Sequence, residues 1–229
     1  MHRRYRQLRN LWNDEGAHAV ANRLRKAAAG LLTPKTSISP VRSADVMAID
    51  LLRPFQPTIP AIISGQPLLA NWVTTPPSPG SGGHTTLFRI IRYLEAHGYR
   101  NRVYFYDVYG SDHQYYESVV RDYYNFHGPV ANVDAGMEDA HIVMATGWPT
   151  AYPVFNSRCT GKRFYFVQDF EPYFYPVGGT SALAETTYRM GFHGINIGEC
   201  FADKIRAEFG MRVDTFRYGC DISQYRRSP

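Results

Sequence analysis

A doubly wound, mainly parallel, Rossmann-like α/β sheet preceded by N-terminal helices is the fold class that this sequence predicts. Three observations carry that reading. From Leu68 onward, short β-rich runs alternate with single amphipathic helical patterns, which implies parallel strands joined by right-handed crossovers. The first strand and helix are joined by a proline- and glycine-rich loop, Thr74 to Gly83. Two later strand-like runs end in Thr146-Gly147-Trp148-Pro149 and Asp169-Phe170-Glu171-Pro172, at the carboxyl ends of strands, where open α/β sheets hold their ligands.

Taken in order, residues 3–13 and 18–32 read as helices separated by Asn13-Asp14-Glu15-Gly16. In the second, Val20, Leu24, Ala27, Ala28 and Leu31 form an apolar stripe beside a basic face. Such a helix packs on its own protein, or lies on an anionic membrane at the inner face of the plasma membrane; packing is the expectation. Residues 33–66 carry Pro34, Pro40, Pro54, Pro57 and Pro60 with no sustained period and read as an extended linker.

The Rossmann-like domain then spans 67–220. Its strands are expected at 68–74, 102–106, 130–133, 141–146, 163–168, 194–197 and 213–217, and its helices at 84–97, 114–125, 150–157, 182–190 and 199–209. In the first helix Leu87, Ile90, Ile91 and Leu94 make one buried face. Thr85 or Thr86 can cap its start and Gly98 can end it. The tyrosines at 115, 116, 123 and 124 suit a helix packed on the sheet better than a base-stacking platform. Gly210 stops the last helix.

Composition narrows the class. Hydrophobic residues at 44% and charged residues at 20% describe an ordinary globular chain, and its 229 residues suffice for one large domain or two small ones. With no run of eighteen apolar residues and no secretory leader in the sequence, the expected location is the cytoplasm. Cys159, Cys200 and Cys220 form no C-x-x-C and read as reduced structural thiols. Seven Arg and Lys against Asp14 and Glu15 place the whole net charge of +5 in residues 1–32. The remainder is balanced, which argues against a nucleic-acid partner.

The chemistry-bearing residues fall in the same three loops. Gly82 and Gly83 allow close approach to the backbone, and the helix start beyond them offers free N–H groups and a positive dipole end. His84 follows at that start; a neutral imidazole there can donate to a sugar or phosphate oxygen. Asp169 and Glu171 sit in an aromatic, proline-stiffened loop with Tyr173 and Tyr175. Carboxylates accept sugar hydroxyls, and aromatic faces stack on the C–H faces of pyranose rings. Each of these residues also has a plain structural reading, as a cap or as packing. A nicotinamide site is the weaker alternative: Gly80, Gly82 and Asp107 suit it, but Thr85 stands where the dinucleotide fingerprint needs glycine. His97, His113, His127, His141 and His193 show no metal-ligand spacing.

Pro79-Gly80-Ser81-Gly82-Gly83-His84 with its helix resembles the opening of many GT-B glycosyltransferases. Ala145 through Pro153, Phe164 through Pro176 with Gly178, and Leu183 through Tyr188 narrow the likeness. Together they resemble the N-terminal domain of bacterial rhamnosyltransferases that build surface-layer glycans, O-antigen and rhamnan chains, over about residues 67 to 229. The resemblance implies one half of a GT-B fold. In it the N-terminal domain holds the saccharide acceptor, and a second domain binds a nucleotide-sugar donor, commonly dTDP-L-rhamnose, without metal or other cofactor. It implies that Gly82 and Gly83 sit near the donor phosphates or the transferred sugar and that Trp148, Asp169 and Glu171 line the acceptor side. With the loop readings above, the catalytic candidates are Asp169, Glu171 and His84, and the substrate-binding candidates are Gly82, Gly83, Thr85, Thr146, Trp148 and Tyr175. Residues 221–229 resemble the start of the interdomain linker. The donor half is absent, so the chain alone is expected to be inactive. A non-catalytic carbohydrate-binding or scaffold domain is the alternative.

Overall fold

Seven parallel strands form one sheet in the order β3-β2-β1-β4-β5-β6-β7. They are β1 Leu69–Thr74, β2 Arg100–Phe105, β3 Val130–Asn132, β4 Ile142–Ala145, β5 Lys162–Val167, β6 His193–Ile197 and β7 Val213–Phe216. The computed structural model describes residues 17, 18, 20, 21, 24, 25, 39–217 and 219. The chain divides into two units, Met1–Ile38 and Ser39–Pro229. In the first, the described residues between 17 and 25 are helical. The helix read over 3–13 and the linker read over 221–229 lie outside the described residues. No helix among the described residues is long and apolar enough to cross a membrane.

Helices pack against both faces of the sheet. They are α1 Ser43–Met47, α2 Gly82–Ala96, α3 His113–Ser118, α4 Trp148–Asn156, α5 Gly179–Thr186 and α6 Cys200–Phe209. Leu87, Phe88 and Ile91 of α2 pack with Trp72, Val103 and Phe105 on one face. Ala151, Tyr152 and Val154 of α4 pack with Val73, Val143 and Tyr165 on the other, together with Ala202 and Ile205 of α6. Strand side chains alternate between the two cores, Trp72 to the first and Val73 to the second. β4 and the second half of β5 are therefore apolar on both sides, which is why the sequence shows short apolar runs there rather than strict alternation.

From β1 the chain moves outward to β2 and β3, then returns to lay β4 on the opposite side of β1. The gap between the carboxyl ends of β1 and β4 is the point where strand order reverses, and crevices open there.

The structure corrects several local expectations. The helix read at 84–97 begins at Gly82, and Thr85 and Thr86 do not cap it; their hydroxyls donate back to the carbonyls of Ser81 and Gly82 (2.8 and 3.1 Å). The helix read at 114–125 is α3, capped by Asp112, followed by a π-helical turn Val119–Tyr123. Its Tyr124 stacks on Phe88 at 4.7 Å between ring centres.

The largest change concerns residues 39–66, read as part of a linker. Val41 is buried in the core. Arg42 pairs with Asp134 and donates to the Asp107 carbonyl (2.6 Å), and Gly161 N–H donates to the Thr58 carbonyl (2.8 Å). The sheet unit thus begins at Ser39. Tyr106, 1% exposed, holds the segment: its hydroxyl donates to Asp45 Oδ2 (2.6 Å) and accepts from Arg42 N–H (2.8 Å). Tyr106→Phe is expected to lower unfolding free energy by about 1–3 kcal/mol, since it strands two polar partners. Urea denaturation reads this, and unchanged stability would contradict the docking of residues 39–66.

Candidate functional site

A groove of about 270 Å³ opens at the reversal point, between the ends of β1, β4 and β5. Thr74 closes β1, Thr146 follows β4 and Gln168 follows β5, so three neighbouring strands supply its floor. The first turns of α2 and α4 form its two sides. Both helices point their N-termini, and the positive ends of their dipoles, towards it.

On the α2 side, His84 spans the glycine-rich loop. A carbonyl can only accept, so His84 Nε2–H donates to Thr75 O (3.1 Å) and Nδ1 accepts from the Ser81 hydroxyl (2.8 Å). Burial lowers the imidazole pKa, so the ring is neutral near neutral pH. Tyr124 clasps the outside of the loop by donating to the Ser78 carbonyl (2.6 Å). Gly83 lies against Gln168: a Cβ there would meet Nε2 at 3.4 Å. The Gln168 amide makes no hydrogen bond to the described residues, which leaves both its donor and acceptor to a ligand.

The α4 side is organised by one carboxylate. Glu171 Oε2 accepts from Trp148 N–H (2.6 Å), the first helical amide of α4, and from the Tyr165 hydroxyl. Oε1 lies beside Gly147, where a Cβ would come within 3.3 Å of it; glycine at this position leaves the carboxylate uncrowded next to the helix start. Thr150 turns back to accept from the amides of Thr146 and Gly147 (2.9 and 3.1 Å). Trp148, 2% exposed, donates its indole N–H to the Tyr175 hydroxyl (3.0 Å), with the rings nearly perpendicular at 86°. Burial raises the Glu171 pKa to about 7, outweighing the Tyr165 and Trp148 hydrogen bonds, and the nearby Asp169 adds to the rise. Tyr165, fully enclosed, is held well above its ordinary value, first by burial and then by the Glu171 charge.

Of the residues singled out in the sequence, His84, Gly83, Thr146, Trp148, Glu171 and Tyr175 line one groove. Asp169, Gly82 and Thr85 do not. Asp169 turns its Oδ1 to the amide of Phe170 (2.7 Å), Gly82 faces open space, and Thr85 is bonded within its helix. Of the two carboxylates read as catalytic candidates, only Glu171 lines the groove, and it is half-buried. Asp107, the acid of the nicotinamide reading, closes its own loop by accepting from Tyr109 and Ser111 N–H, and it lies outside the groove lining. Gln168 carried no motif, and nothing in the sequence pointed to it except its position at a strand end. Among the described residues no cluster of His, Cys, Asp and Glu is placed to hold a metal ion.

Comparison with known proteins adds two similarities. The family described as "WsaF, N-terminal domain" matches residues 112–199, which include the β4 and β5 loops but not the glycine-rich loop. A segment is 52% identical over 54 residues to an O-antigen biosynthesis protein RfbC of Myxococcus xanthus, covering 24% of this chain and 4% of that protein. The matched stretch thus spans a small fraction of the curated relative's length. The family match is also narrower than the 67–229 range of the sequence resemblance.

The Glu171 carboxyl gives a pH signature. With an ordinary value of 4.5 unfolded and about 7 folded, the native state binds the proton more tightly. Its contribution to stability is complete below about pH 4.5 and is lost as pH rises through about 7. Glu171→Gln is expected to remove that slope, worth up to about 3 kcal/mol. Urea unfolding of both proteins across the range checks it; parallel curves would contradict the buried carboxyl.

Proposed function

We propose that this chain is the acceptor-side half of a GT-B glycosyltransferase of surface polysaccharide synthesis. In the intact enzyme a second domain would present a nucleotide sugar, dTDP-L-rhamnose in our reading, to an acceptor saccharide held here. The observation that supports it most is the groove at the strand-order reversal, with polar groups on its floor and an aromatic wall of Phe174 and Tyr175 beside a carboxylate. That is the chemistry of a sugar site: hydroxyls meet Thr146, Gln168 and Glu171, and a pyranose C–H face meets an aromatic ring. The likeness to an O-antigen biosynthesis protein supports the polysaccharide context.

In this reading an acceptor hydroxyl lies against Glu171 Oε1. The hydroxyl oxygen attacks the anomeric carbon of the donor, its proton passes to Glu171, and the nucleoside diphosphate leaves. A pKa of about 7 suits a base working near neutral pH. His84 shapes the glycine-rich loop and donates to the substrate only if that loop opens. The leaving diphosphate is stabilised by helix dipoles and basic side chains without metal. The reaction belongs on the cytoplasmic side, and the basic segment 1–32 would add a peripheral contact with anionic membrane.

One observation favours a second reading. Glu171 is bonded to the first amide of α4, so it could serve structure alone in a non-catalytic carbohydrate-binding domain. Joining this chain to its donor domain and assaying transfer separates the two. Glu171→Gln is expected to cut kcat by about 10²-fold or more, while Asp169→Asn, away from the groove, changes it by less than about tenfold. Equal, small effects of both substitutions with saccharide binding intact would favour the binding domain.

A further inference from the structure

The amino-terminal edge of the sheet, opposite the groove, carries a feature that sugar chemistry does not use. After α1 the chain exposes apolar side chains in close succession: Leu52 is 93% exposed, Ile59 57%, Ile62 74% and Ile63 55%. Between Leu51 and Gln66 the only charged residue is Arg53. Scattered surface leucines are ordinary, but a run of large aliphatic side chains marks a contact surface. Phe55 and Ile59 form one wall of a cavity of about 340 Å³ at this edge, and Lys162 and Arg212 stand on its other side.

The charged residues that line the cavity are all cationic. Lys162 begins β5, where its ammonium lies 5.0 Å from the Phe164 ring centre. Arg158 lies over the Phe55 ring at 4.7 Å. Neither these two nor Arg212 has an ion-pair partner among the described residues. Of the carboxylates near this edge, Asp214 bonds His193 (2.7 Å), Asp50 pairs with Arg53 (3.2 Å) and Asp139 accepts from Thr160 N–H (2.8 Å); no carboxylate lines the cavity.

We propose that this edge docks on an anionic phospholipid surface. Ile59, Ile62 and Ile63 would enter the headgroup boundary, and Lys162, Arg158 and Arg212 would meet lipid phosphates. Apolar area and surface cations together set the strength of such binding. Because the patch adjoins the strand starts and the groove lies at the strand ends, docking leaves the groove facing the cytosol. The proposal rests on exposure and charge and not on the sugar reading, and it concerns a surface separate from residues 1–32.

The test is flotation of the full chain with vesicles of phosphatidylcholine, with and without phosphatidylglycerol. The chain is expected to float with the anionic vesicles. Ile59→Ser with Ile62→Ser should lower the partition coefficient by about tenfold or more. Lys162→Gln with Arg212→Gln should lower it by about fivefold per cation removed. Since these side chains are exposed, both variants should keep the wild-type melting temperature, and the second keeps the test open if the first misfolds. Wild-type chain that stays with neither vesicle, or variants that partition as wild type does, would overturn the proposal. So would a serine variant that turns a wild-type dimer into a monomer without changing vesicle partition, which would make the patch a protein interface.

Discussion

The carboxylate of Glu171, held between the Tyr165 hydroxyl of β5 and the first amide of α4, is the contact on which the site depends. An ionised carboxylate away from water is costly unless it is hydrogen-bonded. Two donors satisfy one oxygen, and the other is left at the groove. The helix dipole adds a favourable field for the anion. Around this contact other residues are fixed by necessity. Gly147 leaves room beside the carboxylate, Thr150 satisfies the two amides of the turn, and Tyr188 supports the loop by accepting from Glu171 N–H (3.3 Å).

The opposite side of the groove is held more lightly. His84, Ser81 and Thr75 close the glycine-rich loop through two side-chain hydrogen bonds, and Tyr124 secures its outer turn. Each such bond contributes about 1 kcal/mol, far less than the packed cores beneath. One side of the groove is therefore rigid and preorganised, and the other can be rearranged by a ligand or a neighbouring domain at small cost.

The sheet was legible because its signal is local and repeated. Strand and helix positions follow from apolar runs and helical periods, and the glycine-rich loop and the two loops after β4 and β5 fall where strand order directs ligands. What the sequence did not show depends on distance. Tyr106 and Asp45 meet across 61 residues, so nothing near residue 45 marked residues 39–66 as part of the domain. Asp169 and Glu171 looked equivalent in sequence, yet a backbone turn gives one to its own neighbour and the other to a helix start. Gln168 has no motif to announce it. Thr85 and Thr86 misled because a threonine near a helix start reads as a cap, whereas inside the first turn its hydroxyl returns to the preceding carbonyls.

The claim at the centre of this account is that Glu171 is a proton-accepting group at a saccharide site. NMR observation of the Glu171 side-chain carboxyl through a pH titration, with and without a rhamnose-containing saccharide, tests it most directly. Titration near the raised value of about 7 and a clear shift of the resonance when the saccharide is added are expected, with Asp169 unmoved. Titration near 4.5, the ordinary value, together with no response to saccharide would contradict it.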